Sequence, residues 1–484
     1  MSSPPPQRLQ ARVHVRKGEL HRVAAVLTAA VTALSGMHGA RAESLTEAMS
    51  LAYDSNPTVQ SQREQLRASD ESAVQARAGF RPTLEADASA QYTDAPQSSL
   101  FGGLSEVQTN QTQGALAVGQ TLYSGGRTTA QLRAAQAQIR ADREQLRLVE
   151  AQILQGAVQA YCDVVRDRTV LALYRQSQTD LADAVKEIQA RFEAGANTRA
   201  DVAQAEAQLH SGEALVTSAQ AQLDASVAEY VAVVGRSPGN LPEPQALGGL
   251  PGDLEDALTA GEQESPTLRQ AEFADAVSQA KVDEAKASGH ASLTLNGQFG
   301  SLGQAVPFDR LKFNDDITVG ATFRRPLFAG GAIASQVRQA SALRSAARLQ
   351  VDAARRTVIQ TISQVWSQRR AAQANEKTMQ AEVLAAQAAF DGMRVEYRAG
   401  LRTTLDVLVA EQTLRDAQAA AAQAAHDERV ADASLLAAIG RLDGRLVASS
   451  STTRPLPDVK RIGASLWDAI PEGLDKLGSV EPGP

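Results

Sequence analysis

The stretch RFEAGANTRADVAQAEAQL (residues 191–209) occurs a second time as EYRAGLRTTLDVLVAEQTL (residues 396–414). Each copy has an aromatic residue, an Ala-Gly pair, a Thr and an Asp-Val pair at one spacing, followed by a run with helical periodicity. A Gly can end a helix in the left-handed conformation, and a Thr side chain can accept from a free amide at the next helix start. Each copy is therefore predicted to be a tight turn between two helices. The turn residues are Gly195 and Gly400, and the helix starts are Thr198 and Thr403.

The rest of the chain repeats in the same order. The segment NPTV at 56–59 is matched by SPTL at 265–268, and QTLYSGG at 120–126 is matched by RPLFAGG at 325–331. Long helical patterns follow both Gly-Gly pairs and end at a Gly-Arg pair in each half. The sequence therefore predicts a tandem duplication of helix, strand, strand, long helix, turn and long helix.

Strict alternation of apolar and polar residues predicts two strands in each repeat, each with one apolar and one polar face. The first repeat has predicted strands at about 83–93 and 114–123, joined by a polar loop at about 94–113. The second repeat has predicted strands at about 291–300 and 316–328. The alternation gives way to helical spacing after each Gly-Gly pair.

The helical pattern at residues 127–193 is unusually long. Apolar residues recur every seven positions from Leu132 to Ala160, and two further rows continue to Phe192. A sustained seven-residue repeat predicts left-handed supercoiling against neighbouring helices. At a rise of 1.5 Å per residue, such a helix is about 100 Å long. The low aromatic content of 4% agrees with an extended helical architecture better than with a thick globular core.

The first residues resemble a secretory signal. Basic residues extend to Arg22, an apolar segment follows at 23–34, and Ala40-Arg41-Ala42 has the pattern of a cleavage site. The apolar segment is shorter than the about 20 residues that span a bilayer, so a cleaved signal is favoured over a permanent anchor. The only cysteine, Cys162, excludes an intramolecular disulfide and leaves no cysteine at the cleavage site for lipid attachment.

Charge and composition exclude several classes of function. The net charge is −7, but residues 1–42 hold six basic residues and one acid, so the remaining chain carries −12 and disfavours a nucleic-acid partner. Past the signal, the histidines are scattered without ligand spacing, so no metal site is expected. No nucleophile constellation or phosphate-binding loop is present, and neither enzymatic activity nor a cofactor is expected. The histidines are His210, His290 and His426.

These patterns divide the chain into consecutive segments. The signal is followed by two repeats of similar length, a Pro-rich linker between them, and a polar tail predicted to be partly disordered. The predicted bounds are 1–42 for the signal peptide, 43–240 for the first repeat with its helical hairpin at 127–235, 241–252 for the linker, 253–444 for the second repeat with its helical hairpin at 331–441, and 445–484 for the tail.

Four strands in one chain are too few to close a membrane barrel, since the smallest use about 8. Because the long helices already use their apolar rows for heptad packing, the strands are predicted to find partners in other chains, with apolar side chains toward lipid. Nine of the nineteen aromatic residues fall in 80–124 and 290–329. Aromatic residues favour bilayer interfaces, although strands of any kind also favour them.

Four features together resemble the TolC-like outer-membrane channels of type I secretion and efflux: the duplicated pattern, the SNP and ESP segments at 55–57 and 264–266, the QTLYSGG and RPLFAGG segments, and the two Ala-Gly turns ahead of Asp-Val. The resemblance covers roughly residues 43–441. It implies an α+β membrane protein: a homotrimer with a twelve-stranded outer-membrane β-barrel continuous with a twelve-helix periplasmic coiled-coil tunnel. It also implies docking to a periplasmic adaptor and an inner-membrane ABC or proton-driven pump, with the tunnel as the exit duct.

The same resemblance implies a gate at the periplasmic end, closed by links between helices and by a ring of acids. Its Asp-Tyr link falls on Asp201 and Tyr397, and its linking Arg falls on Arg402. The Thr partner of that Arg falls on Ala200, whose side chain has no hydrogen-bonding group for the second link. The first acid of the ring matches Asp406, whereas the second position holds Val409; Glu411, two residues on, should face elsewhere on the helix.

Simpler roles compete with these. Asp201 and Asp406 each lie beside a helix start, where a carboxylate meets free amides and the helix dipole. Arg402 is equally compatible with a solvated turn, and Cys162 with a small packing residue. For the whole chain, the alternative is a periplasmic coiled-coil adaptor or scaffold. That class explains the long hairpins but not two equivalent amphipathic strand pairs.

Overall fold

A computed structural model describes residues 43–98, 104–304 and 313–444. The predicted signal peptide and tail lie outside these residues. The described part has eight α-helices and four β-strands, in two repeats. The helices of the first repeat are α1 (Leu45–Ser55), α2 (Pro57–Ala78), α3 (Arg127–Glu193) and α4 (Arg199–Val234). Those of the second are α5 (Leu254–Glu264), α6 (Pro266–Ala287), α7 (Ala332–Arg398) and α8 (Thr404–Ile439).

The helices of the two repeats have equal lengths. The successive lengths are 11, 22, 67 and 36 residues in each repeat. Equivalent residues are 209 apart in the short helices (Pro57 and Pro266) and 205 apart in the long ones (Arg127 and Ala332). The difference arises between the short and long helices of each repeat, where the strands lie. The helices of one repeat therefore correspond residue by residue to those of the other in the sequence.

Local chemistry sets several of the helix ends. Asn56 ends α1 and caps α2, because its side chain accepts from the Thr58 amide at 2.9 Å while Pro57 takes the first helical position. Gly235 and Gly440 end α4 and α8 with φ of +89° and +83°, which a residue with a Cβ rarely adopts. These are the glycines of the two Gly-Arg pairs.

The strands form one antiparallel sheet in the order β1-β2-β3-β4: β1 is Thr83–Ser98, β2 Leu104–Tyr123, β3 Ser292–Gly303 and β4 Asn314–Arg324. The first pair is longer than the sequence predicts, because most of the stretch predicted as a loop at 94–113 belongs to the ladder. The prediction relied on apolar alternation, which this polar stretch lacks. Backbone hydrogen bonds hold a ladder together regardless of the side chains.

The fourth strand ends earlier than the sequence predicts. The sequence predicts a strand at about 316–328, but β4 ends at Arg324, and Leu327 and Phe328 lie outside the sheet and are exposed. Pro326 gives the physical reason, since proline lacks the amide proton of a ladder and restricts the residue before it. The equivalent segment of the first repeat, which has no proline, continues as β2 to Tyr123.

The largest apolar core lies where the short helices pack on the long ones, with Ala48, Tyr161, Tyr230 and Leu436 all fully buried. The linker between the repeats contributes Leu241 and Leu247 to this core, so it packs on the helices rather than acting as a free tether. In the described ranges, none of the helices has an apolar stretch long enough to cross a bilayer.

Candidate functional site at the helical hairpins

Both turns between long helices have one backbone geometry. Gly195 and Gly400 have φ of +76° and +75°. In each turn the amide after the Gly donates to the carbonyl five residues back, at 2.8 Å from Ala196 to Arg191 and 2.9 Å from Leu401 to Glu396. The Gly amide itself donates to the carbonyl three residues back, at 2.9 Å in both turns, and the two bonds together form a Schellman motif. The two copies therefore differ only in their side chains.

A complete capping box begins the returning helix in both hairpins. The Asp201 Oδ2 atom accepts from the Thr198 amide at 2.8 Å, and the Asp406 Oδ2 atom accepts from the Thr403 amide at 2.9 Å. In return, each Thr hydroxyl oxygen lies 3.3 Å from its Asp amide. The backbone hydrogen bond from Thr, followed by the bond from its hydroxyl, lowers the pKa of both carboxyl groups. Both side chains are therefore anionic caps, with Oδ1 unbonded in the described chain.

Tyr397 contacts the first hairpin, but through other residues than the resemblance implied. Its ring lies under the Arg191 guanidinium, 4.9 Å from ring centre to Cζ, and its hydroxyl donates to Glu187 Oε1 at 3.4 Å. The expected bond to Asp201 is not formed within the described chain, because the Asp201 carboxylate caps its own helix. The link between hairpins therefore involves α3, before the turn, rather than α4. Sequence reasoning missed both Glu187 and Arg191.

Arg402 contacts its own hairpin. Its Nε atom donates to Glu396 Oε2 at 2.7 Å, and both side chains are nearly half exposed. The hydrogen bond and charge of Glu396 raise the pKa of Arg402. Ala200, the position of the missing Thr partner, makes no side-chain hydrogen bond, so Arg402 links the two ends of one turn rather than two hairpins.

Val409 and Glu411 lie in different environments on α8. Val409 is half exposed, whereas Glu411 is partly buried and has a raised pKa, chiefly through that burial. Glu411 therefore does not take the place of the second acid. One turn further, the buried Arg415 guanidinium donates to Ser177 of α3. Sequence reasoning missed this contact; an arginine in an otherwise apolar helical row was the available signal.

The sheet has one continuous apolar face. A row across the four strands joins Ala86, Leu116, Phe299 and Ile317, which occupy paired positions and therefore point to the same side. The adjacent row on the other side contains Glu85, Ala117, Gln298 and Thr318 and is mostly polar. The apolar side chains are strongly exposed, reaching 74% for Val319. Outer strands β1 and β4 each have one unpaired edge in the described chain.

The long paired helices have equal lengths in the two repeats and are joined to a sheet with an exposed apolar face. This combination defines a membrane channel protein with a long helical extension. The chain belongs to the outer membrane efflux protein family, whose model matches residues 48–236 and 259–441. The prediction of a TolC-like family is thus confirmed.

Known relatives cover nearly the whole chain. It is 33% identical over 422 residues to the outer membrane efflux protein BepC of Brucella suis, covering 87% of this chain and 90% of BepC. It is 26% identical over 441 residues to the outer membrane protein TolC of Salmonella enteritidis, covering 86% of each. A crystal structure of a membrane protein from Pseudomonas aeruginosa shares its fold, with a TM-score of 0.71, 21% identity, and coverage of 82% of this chain and 93% of that one.

The family settles the class of protein. The chain is an outer-membrane efflux or secretion channel with a long periplasmic portion, and it is not an enzyme. The alternative of a periplasmic adaptor or scaffold has no support among these relatives. Within the described ranges, no group of His, Cys, Asp or Glu side chains is arranged to hold a metal ion.

Proposed function

We propose that the chain is the exit duct of a tripartite export system, as a homotrimer whose twelve strands close an outer-membrane barrel above a twelve-helix periplasmic tunnel. The observation that carries this proposal is the sheet, with its exposed apolar face and two unpaired edges. An open edge in a bilayer leaves backbone groups without partners, at several kcal/mol each. Pairing β4 of one copy with β1 of the next removes every open edge.

Three copies fit the dimensions of such a duct. Each copy contributes four strands, so two copies would form an eight-stranded barrel, whose interior is filled by side chains. Three copies form a twelve-stranded barrel, which is wider. The helices α3, α4, α7 and α8 of three copies supply the twelve of the tunnel. At about 1.5 Å per residue, α3 and α7 extend the duct by about 100 Å from the sheet.

The gate is proposed at the hairpin end of this tunnel. Tyr397 of α7, packed under Arg191 and bonded to Glu187, holds the second hairpin against the first within one chain. Both contacts are exposed and weak, so an external partner can break them at low cost in free energy. Opening is then an iris-like outward movement of α7 and α8, with the core around Tyr161 as the fixed end.

Asp406 is proposed to form an anionic collar at the gate. Its carboxylate stays ionised because the capping box lowers its pKa, and three copies around one axis bring three such charges together. Val409, half exposed one turn further along α8, gives the next layer of the collar an apolar side chain in place of a second acid. Such a collar binds divalent cations less tightly than a ring with two acids per chain.

The energy for export has to come from other proteins. The sequence has no phosphate-binding loop with which to bind and hydrolyse a nucleotide. A periplasmic adaptor and an inner-membrane pump, of the ABC or proton-driven type, are the partners that the proposal assigns. The cargo is either a protein secreted by a type I system or a small molecule removed by efflux.

Membrane fractionation with native mass measurement tests the proposal. The expected result is a trimer of mature chains in the outer-membrane fraction, which forms ion-conducting channels in planar lipid bilayers. A monomer released with the soluble periplasmic proteins would overturn the proposal.

A further inference from the structure

The contact between α3 and α8 contains a buried polar cluster in the hairpin half of the molecule. Arg415 of α8 is 8% exposed and Ser177 of α3 is 5% exposed, and the Arg415 guanidinium donates from Nη1 to the Ser177 hydroxyl oxygen. This contact lies about 18 Å along α8 from its N-cap, at 1.5 Å per residue. Leu414 and Ala417, the buried neighbours of Arg415 in the sequence, belong to a small apolar cluster. The arginine is therefore a buried charge within an otherwise apolar contact.

Glu411 belongs to the same cluster. It lies four residues before Arg415, and residues four apart are neighbours on a helix surface. Burial raises the pKa of Glu411 most, and the charge of Asp180 on α3 raises it further. The charges of Arg415 and of Arg394 on α7 lower it, as does the nearby Ser177 hydroxyl, but the net change is upward. The packed helices therefore disfavour the ionised form of Glu411.

Neither charge of α8 is fully hydrogen-bonded in this contact. In the described chain, the buried atoms Arg415 Nε and Glu411 Oε1 have no hydrogen-bond partner. The Oδ1 atom of Asp416 lies 3.8 Å from that Nε, which is beyond hydrogen-bonding distance. Buried charged groups that lack partners cost free energy. Ser177 thus holds α8 against α3 while two opposite charges of α8 stay incompletely paired.

We infer that Arg415 is a gate residue with two alternative partners: Ser177 of α3 while the tunnel is closed, and Glu411 of its own helix once α8 has moved outward. The inference rests on the proposed function, in which opening moves α7 and α8 away from the first hairpin. A Glu four residues before a basic residue is the favourable order for an ion pair on a helix surface. Arg415 then has a partner in both states, and the exchange needs no change in α8 itself.

The two partners act on the gate in opposite directions. The bond to Ser177 exists only while α8 packs on α3, so it favours the closed state. The charge of Glu411 favours the open state, because an ionised group whose pKa is raised in one state is stabilised by leaving that state. The balance between the two keeps the gate closed but ready to open.

This contact also supplies a buried link that the hairpin tips lack. Arg402 contacts only its own hairpin in the described chain, and the Tyr397 hydroxyl makes an exposed, long hydrogen bond. The contact between Arg415 and Ser177 is buried and involves a charged donor. Hydrogen bonds to charged groups contribute more than neutral ones, and burial protects them from screening by salt. Arg415 is therefore expected to make the stronger closing link of the two.

Single-channel recording of the full chain in planar lipid bilayers tests the inference. Ser177→Ala should raise the fraction of time that the channel is open about ten-fold or more, the usual effect of losing a hydrogen bond to a charged group. Glu411→Gln should lower that fraction about two-fold or more, because it removes the open-state partner of Arg415 and the charge that opposes closure. Arg415→Lys keeps a charged donor and should lie between the wild type and Ser177→Ala.

Two control variants change the same chemical groups outside the cluster. Thr179→Ala removes an exposed hydroxyl two residues from Ser177, where it donates to the Arg175 carbonyl of its own helix at 3.1 Å. Glu206→Gln neutralises the exposed residue of α4 that is equivalent to Glu411, 205 positions earlier. Both controls should leave the open fraction unchanged. Native mass measurement and thermal melts of every variant ensure that folded oligomers are compared.

The direction of the two effects separates a gate residue from a structural one. A general loss of packing would change the open fraction in the same direction in Ser177→Ala and Glu411→Gln. Shifts in one direction, or an effect of Ser177→Ala no larger than that of Thr179→Ala, would overturn the inference and leave the proposed function standing. A wild-type chain that forms no conducting channel would instead overturn the proposed function.

Discussion

Replacing Asp406 by Asn separates its two roles at the gate. The carboxylate caps α8 and carries the proposed collar charge, and the Asn side chain keeps an acceptor oxygen for the Thr403 amide while removing the charge. We expect Asp406→Asn to retain a closed channel with normal stability but to abolish block by divalent cations. Asp406→Ala should lose the block and also loosen the turn.

Two further variants serve as controls that separate the capping role of Asp406 from its charge. Thr403→Ala removes the capping hydroxyl but keeps the Asp406 charge. Loss of an N-cap side chain usually costs about 1 kcal/mol of helix stability, which changes the ratio of intact to frayed turns roughly five-fold. It should raise the frequency of brief openings without removing the block. Asp201→Asn changes the same capping box in the first hairpin, where Thr198 and Asp201 have the same geometry. Because Asp201 is assigned no place in the collar, its replacement should leave the block intact.

Single-channel recording in planar lipid bilayers, with and without divalent cations, supplies the measurement. The collar predicts block in the wild type and in Asp201→Asn, and its loss in Asp406→Asn. An unblocked wild-type channel, or equal loss of block in both Asn variants, would refute the assignment to Asp406. The block should weaken as acid protonates the collar, at a pH that the capping box of Asp406 lowers and the mutual repulsion of three carboxylates raises.

Two further predictions concern contacts between helices. Tyr397→Phe should raise single-channel conductance because it removes the hydrogen bond to Glu187, and Tyr397→Ala should raise it further because it also removes the ring under the Arg191 guanidinium. Arg402→Ser is the control and should leave the conductance unchanged, since Arg402 contacts only its own hairpin in the described chain. Unchanged conductance in both Tyr397 variants would exclude this contact as a closing link. His426 lies 3.1 Å from Asp163 and 2.9 Å from Asp427, and although burial alone lowers its pKa, these acids raise it above its ordinary value. Its stabilisation is therefore complete below about pH 6.5 and lost as pH rises through the raised pKa. His426→Gln should cost about 1.5–3 kcal/mol at pH 5.5 and less at pH 8, measured by thermal melts; equal costs at both values would contradict a charged His426.

The sequence predicted the long helices well because their ends depend on local chemistry. The ends of α3 and α4 follow from Gly195, Thr198 and Gly235, whose backbone geometry requires no distant partner. The ladder at residues 94–113 could not be predicted in this way, since its sequence is mostly polar and lacks the regular alternation of apolar and polar residues that predicts a strand. Its two strands pair with each other across the hairpin, Asp94 with Gln108 and Ser98 with Leu104, through backbone hydrogen bonds that a side-chain pattern does not record.

The gate contacts illustrate the same limit. The capping function of Asp201 was available from its spacing to Thr198. The partner of Tyr397 depends instead on how the two hairpins pack through α3 and α8, which brings Glu187 and Arg191 within reach of Tyr397. The resemblance to a family implies a link between hairpins at Tyr397 with Asp201 as its partner, whereas the structure has Glu187 and Arg191 in contact with Tyr397.

The equal lengths of the helices restrict how the protein can be lengthened or shortened. One residue removed from α3 shortens it by about 1.5 Å and turns everything beyond by about 100°. The hairpin tip would then no longer be level with its counterpart after α7, and Tyr397 would face a different side chain. Removing seven residues keeps the same face toward the neighbouring helices, provided that α3, α4, α7 and α8 all lose them. A duct of this design is therefore expected to change length in steps of about 10 Å, in both repeats at once.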